Sequence, residues 1–313
     1  MTTLDRYRGC LLGLAAGDAL GTTVEFKDRG EFEPLIDIVG GGPFHLKPGE
    51  WTDDTSMALC LAESLVTAVG FDPIHQLETY VRWWRNGHFS VKGRCFDIGI
   101  TTAGALSRFE QSRRPYPGST DPGAAGNGSL MRLAPAPLAF AGDPTESITR
   151  AADSSRTTHA APECIDACRY FAGLILAALS GLSKEQILNN DYEPATKCFL
   201  SEPLVPKVAE IAGGSFKRKS SAEIRGSGYV IHTLEAALWA FHATNTFRDG
   251  ALKVVNLGED ADSTGAVYGQ IAGAYYGEAG IPAEWRAILA MREVIEKLAD
   301  QLHAMSGLGE QYV

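Results

Sequence analysis

With 313 residues, 45% of them hydrophobic, the chain is long enough to bury a substantial core as one large domain or two. Its formal charge of −10, from 28 basic and 38 acidic side chains, argues against a polyanion such as nucleic acid as the main partner, although a small anionic substrate needs only local donors. No apolar run approaches membrane-spanning length, the N-terminus lacks an apolar signal segment, and the six cysteines form no paired CxxC set, so free thiols, a cytoplasmic setting and no membrane association are expected.

Residues 4–21 read as a helix in which Gly9, Gly13 and Gly17 recur every four positions. Each glycine weakens a helix, so the spacing predicts close approach by a second helix. The small-residue run with Gly269, Gly273 and Gly277 is the natural partner, the two packing nearly backbone to backbone. Asp18 ends the first helix and reads as a loop brace at least as readily as a metal ligand. Glu25, in a loop between Val24 and Phe26, would on its own be read as structural.

A glycine-rich loop over 38–49 leads to Thr52-Asp53-Asp54-Thr55, which opens a helix over 52–69. The next helix, 73–86, carries Trp83 and Trp84 as core anchors. Cys95 to Gly99 opens a helix that runs through Phe109, with Asp97 spaced as an N-cap. Residues 113–128 form an irregular loop ending in Gly126-Asn127-Gly128-Ser129. Two positions there lack a Cβ and a helix start is expected to follow, which makes either a phosphate cradle or a plain turn. Helices over 143–154 and 160–180 flank Thr157-Thr158-His159. A short helix at 183–189 is followed by a connector at 194–206 and by a mobile basic loop within 211–227 around Lys217-Arg218-Lys219. Tyr229 begins a helix over 230–244, its ring available to an adenine, a ribose face or the core. Helices over 247–256 and 282–303 complete the set, and 303–313 reads as a loose tail.

Two helix starts carry unusual acid. Asp260 and Asp262, with Ser263 and Thr264 behind them, precede the glycine-spaced helix, and Asp53 and Asp54 are adjacent. A helix cap needs one carboxylate, whereas paired carboxylates repel unless a cation or strong donors sit between them. If both starts converge, four carboxylates and two hydroxyls could hold a pair of hard divalent cations.

Five segments, in order, resemble the ADP-ribosylglycohydrolase family: Gly13-Leu14-Ala15-Ala16-Gly17-Asp18-Ala19-Leu20-Gly21 with Glu25, Thr52-Asp53-Asp54-Thr55, Gly126-Asn127-Gly128-Ser129-Leu130-Met131-Arg132, Thr157-Thr158-His159, and Gly258 through Thr264. The resemblance implies an all-α fold, a single compact orthogonal bundle over 1–313. It also implies two divalent cations, Mg²⁺ or Mn²⁺, and hydrolysis of the N- or O-glycosidic bond between ADP-ribose and an acceptor. In that reading Glu25 and Asp97 are catalytic, and Thr52, Asp53, Asp54, Asp260, Asp262 and Ser263 hold the metals, with Thr264 a rival for the last place. Gly126, Asn127, Gly128, Ser129, His159 and Tyr229 bind substrate. The partner is ADP-ribose or an ADP-ribosylated protein or small conjugate. Arginine, serine, O-acetyl and nucleic-acid acceptors all stay open, and a monomer is expected. A non-catalytic ADP-ribose binder or crystallin-like relative is disfavoured because every acidic position is present. An all-α diphosphate enzyme is disfavoured because Met57 stands where Asp-Asp-x-x-Asp needs its third acid.

Overall fold

The computed structural model describes residues 1–308. Its α-helices are, in order, α1 (Thr3–Gly21), α2 (Asp53–Thr67), α3 (Pro73–Asn86), α4 (Ile100–Ser112), α5 (Pro135–Ala139), α6 (Pro144–Arg156), α7 (Pro162–Leu179) and α8 (Lys184–Leu188). They continue as α9 (Glu193–Ser201), α10 (Pro206–Ala212), α11 (Val230–Ala243), α12 (Phe247–Val255), α13 (Ala261–Tyr276), α14 (Ala283–Ile288) and α15 (Arg292–Met305). Among the described residues the only β pairing is in isolated bridges, one of them between Gly126 and Tyr229. The fold is all-α, as expected.

Helix α1 starts on a capping box between Thr2 and Asp5 and is buried at every residue from Gly9 to Gly21. A helix with no wet face has no amphipathic stripe and belongs at the centre of a bundle. Its neighbour is α13. Gly9, Gly13, Gly17 and Gly21 face Gly273, Gly269, Gly265 and Ala261 respectively, and a methyl group at any of the four would run into the opposing carbonyl oxygen. One set of numbers rises as the other falls, so the helices are antiparallel, and the end of α1 lies beside the start of α13. Gly277 ends α13 with φ +72 and still lies against α1, its carbonyl carbon 2.6 Å from where a Gly9 methyl would sit.

The start of α2 is brought to the same place. The Asp18 carboxylate accepts from the amides of Thr52 (2.9 Å) and Thr55 (3.0 Å) and from both their hydroxyls, so a residue of α1 caps α2 across space. Just before it, Trp51 is fully buried and its Nε1 donates to the Ala290 carbonyl. Emptying that socket with alanine would cost about 3–5 kcal/mol. Trp83 is a core anchor as expected, whereas Trp84 is half-buried under the Arg85 guanidinium.

Several expected boundaries move. The connector at 194–206 contains α9, because Pro194 sits in the first turn of that helix, where its missing N–H is no loss. The basic loop is not free: α10 fills its approach, Lys217 donates to the Leu188 carbonyl and Asn189, and Lys219 pairs with Glu235. The C-terminal helix is two, divided at Met291 with φ +51. The second runs to Met305, past the start of the expected tail, and positions 309–313 of that tail lie outside the described residues. All six cysteines are free, and no described helix is long and apolar enough to cross a membrane.

Candidate active site

The ends of α1, α2 and α13 open onto a cleft of about 690 Å³. Seven acidic residues line it, Glu25, Asp28, Asp53, Asp97, Glu259, Asp260 and Asp262, and neither lysine nor arginine does. Asp54 lies buried directly behind. The capping explanation fails for these acids, since neither Thr52 nor Asp260 uses its side chain to cap its own helix. The α2 amides are taken by Asp18, a fully buried brace that burial pushes up to about 6 against its four hydrogen bonds.

The cluster is short of donors. The Thr52 hydroxyl, with one hydrogen, lies 2.9 Å from Asp18, 3.3 Å from Asp54 and 3.2 Å from Asp262. Glu25 Oε2 and Asp54 Oδ1 are buried with no partner. Asp53 and Asp97 approach within hydrogen-bonding reach of each other, as do Asp260 and Asp262. Burial first, and neighbouring carboxylates second, push Glu25, Asp53, Asp54 and Asp262 far above the usual carboxyl range. Oxygens of Glu25, Asp97 and Asp262 fall within 4.8 Å of one another. Hard divalent cations suit such a site: the donors are all oxygen, several are negative, and two buried ones are unsatisfied.

Ser263 lines the cleft, while the Thr264 hydroxyl turns back to the Ala261 carbonyl inside its own helix. Two loops are clasped to aim the acids. The Phe26 amide donates to the Glu259 carbonyl at 2.7 Å and the Glu259 amide to the Lys27 carbonyl at 2.8 Å. Both Phe26 (φ +64) and Glu259 (φ +58) adopt a left-handed backbone that side chains seldom accept. This fixes Glu25 against Asp260. Asp97 also reaches the cluster, but not as an N-cap, because α4 begins only at Ile100 with Gly99 before it.

The Gly126–Ser129 turn forms the opposite wall. The Asn127 amide donates to the Gly228 carbonyl, and its side chain donates to Asp260 (2.7 Å) and Thr233 (2.9 Å). The amides of Gly128 and Ser129 have no partner among the described hydrogen bonds. No helix starts behind this turn, contrary to expectation: the next is the five-residue α5, opened by Pro135. The unpartnered amides here therefore belong to a loop and not to a helix start. Gly126, Asn127, Gly128 and His159 line the cleft, whereas the Ser129 hydroxyl points inward and accepts from Ser155. Tyr229 stands outside the lining, its hydroxyl held by Glu163 and Lys207, and touches the site only through its backbone bridge to Gly126. Asp28 and Thr102 also line the cleft, and no sequence pattern singles them out.

Comparison with known proteins places this geometry among relatives. The family model described as ADP-ribosylglycohydrolase matches residues 1–311. The chain is 46% identical over 299 residues to the ADP-ribosylarginine hydrolase Tri1 of Pseudomonas putida, covering 96% of this chain and 78% of that one. It is 34% identical over 313 residues to the ADP-ribosyl-[dinitrogen reductase] glycohydrolase of Rhodospirillum rubrum, covering 97% of both. A solved structure, titled as an ADP-ribosylglycohydrolase-related protein complex, superposes with a TM-score of 0.85 at 44% identity, over 97% of this chain and 99% of that one.

Proposed function

Since the chain belongs to the ADP-ribosylglycohydrolase family and is an ADP-ribosyl hydrolase, we propose that it releases ADP-ribose from arginine-linked acceptors with the help of two divalent cations, Mg²⁺ or Mn²⁺. The observation that carries this reading is the cleft wall of seven acidic residues without one lysine or arginine. Such a wall attracts cations twice over: metal ions at its floor and a guanidinium at its mouth. The name of one relative, an ADP-ribosylarginine hydrolase, supports the same acceptor.

In this reading Thr52, Asp53, Asp54, Asp260, Asp262 and Ser263 hold the metals. The bound cations would supply positive charge next to the ribose hydroxyls and orient a water. Asn127 keeps Asp260 aimed through its 2.7 Å hydrogen bond, and Asp18 keeps the α2 start in place. Glu25 and Asp97 face the scissile C–N bond from one side. The bond breaks with positive character building on the ribose, water adds at the anomeric carbon, and the guanidine nitrogen leaves with a proton. A carboxyl as buried as Glu25 is poised to carry that proton. The amides of Gly128 and Ser129 and the His159 ring take the diphosphate, and the adenine end lies toward Tyr229, whose backbone is bridged to Gly126.

The test is turnover of arginine-, serine- and O-acetyl-linked ADP-ribose with and without chelator. Hydrolysis of the arginine conjugate, lost on chelation and restored by Mg²⁺ or Mn²⁺, is expected. Full activity in metal-stripped protein would overturn the metal assignment, and inert arginine conjugate would overturn the acceptor.

A further inference from the structure

Behind the His159 ring lies a guanidinium with no counter-ion among the described residues. Arg132 is completely buried, and no carboxylate is among its hydrogen-bond partners. Its Nη1 donates to the Gly128 carbonyl at 2.8 Å, its Nη2 donates to Thr158 Oγ1 at 2.6 Å, and its Cζ lies 4.6 Å from the centre of the Tyr80 ring. Thr158 Oγ1 in turn sits 2.8 Å from His159 Nδ1. A buried charge held only by neutral groups is costly to keep, so its position calls for a reason.

The direction of these hydrogen bonds follows from donor counting. A guanidinium only donates, so Thr158 Oγ1 accepts from Arg132. The hydroxyl has one hydrogen, and among the described contacts the only acceptor left for it is His159 Nδ1. If Nδ1 carried a proton instead, the Thr158 hydrogen would be buried without a partner, at about 1–3 kcal/mol. Nδ1 is therefore the acceptor, and the single proton of the neutral ring rests on Nε2. That atom faces the loop: a Cβ built at Gly128 would come within 3.1 Å of it, and one at Gly126 within 3.5 Å. Burial and the Arg132 charge hold the imidazole down to about 3, so the ring stays neutral at physiological pH. A neutral imidazole offers an anion either a donor or a lone pair, and which one it offers decides between attraction and repulsion.

We propose that Arg132 and Thr158 are positioning residues that lock His159 in its Nε2–H tautomer, so that a neutral ring donates to the diphosphate of ADP-ribose. This rests on the placement of the diphosphate along Gly126–Ser129 given above. The same guanidinium fixes the Gly128 carbonyl, which turns the adjoining loop amides toward the ligand. Arg132 thus serves an anion it never touches.

The experiment combines imidazole ¹⁵N NMR on the full chain with ADP-ribose binding. In the wild type, long-range ¹H–¹⁵N correlations of His159 are expected to show a bare Nδ1 and a protonated Nε2. The reverse assignment overturns the proposal, and this measurement needs no variant to fold. Thr158→Val keeps the shape without the hydroxyl; it should mix the tautomers and weaken ADP-ribose binding about ten-fold, the scale of one hydrogen bond to a charged group. Thr158→Ser should restore both. Mixed tautomers with unchanged affinity in Thr158→Val, while His159→Ala still loses affinity, would overturn the relay and leave the diphosphate placement standing. Unchanged affinity in His159→Ala would overturn both together.

Discussion

Replacing Gly269 by alanine tests the packing on which the site depends, with Gly104→Ala as the matched control. Both glycines lie inside helices, α13 and α4, and neither has a positive φ. Alanine favours a helix over glycine by up to about 1 kcal/mol. At Gly104 that is nearly the whole effect, because the new methyl meets only the far end of Arg108 at 3.3 Å. At Gly269 it would meet the Gly13 carbonyl and, at 2.9 Å, the Leu14 amide nitrogen, both backbone atoms with nothing flexible to yield. Overpacking of this kind costs about 1–3 kcal/mol, and a rigid backbone puts it at the upper end. After the helix gain the net loss is about 2 kcal/mol, which at roughly 2–4 °C per kcal/mol lowers the Tm by about 4–8 °C. Differential scanning calorimetry should show Gly104→Ala unchanged or slightly raised and Gly269→Ala clearly lowered. A Gly269→Ala protein melting at or above wild type would refute backbone-to-backbone packing of α1 and α13.

Metal-free protein should lose stability as the pH rises. Asp18 is raised from 3.8 to about 6, so across that window the folded metal-free chain keeps a proton that the unfolded chain releases. Stability from this group is full below the unfolded value and lost as pH rises through the folded one, so the Tm of stripped protein should fall from about pH 4 to about pH 6. Cations compete with the protons that burial and mutual repulsion hold on Asp53, Asp54 and Asp262, so the stabilisation on adding Mn²⁺, about 4 kcal/mol at a thousand-fold excess over Kd, should widen with pH; a gain independent of pH would count against a carboxylate site. Glu25→Gln should lower kcat by about 10²–10⁴ while ADP-ribose still binds, and calorimetry showing lost affinity with normal turnover would make Glu25 a binding residue. Gly128→Val, which crowds His159 Cε1 at 2.8 Å, should weaken ADP-ribose binding and leave metal content unchanged by elemental analysis.

The parts of the molecule legible in the sequence are those where a residue type is hard to explain locally. Glycines four apart inside a helix demand a close neighbour, and Gly13 and Gly269 do meet. Adjacent aspartates demand a cation or donors, and Asp53, Asp54, Asp260 and Asp262 do converge. Other features answer to tertiary context alone. Asp28 and Thr102 are ordinary loop and helix residues until the fold turns them into a cleft wall. The late start of α4 at Ile100 frees Asp97 from capping, which residue spacing could not show. The stretch from Pro194 reads as a connector, although Pro194 sits in the first turn of α9. The Arg132–Thr158–His159 chain depends on which atom donates, and no spacing rule encodes that.

The antiparallel glycine seam also bears on how the protein is made. Helix α1 leaves the ribosome well before the partner it is shaped for, α13, which ends at Tyr276. At roughly 5–20 residues per second, the wait is on the order of 10–50 s. Throughout it, a helix with no wet face has no surface to rest on. The acids of α2 also emerge well before Asp260 and Asp262, so a partial chain carries only half of the acidic cluster. Closing of the acidic cluster is thereby tied to the arrival of α13, the second wall of the seam.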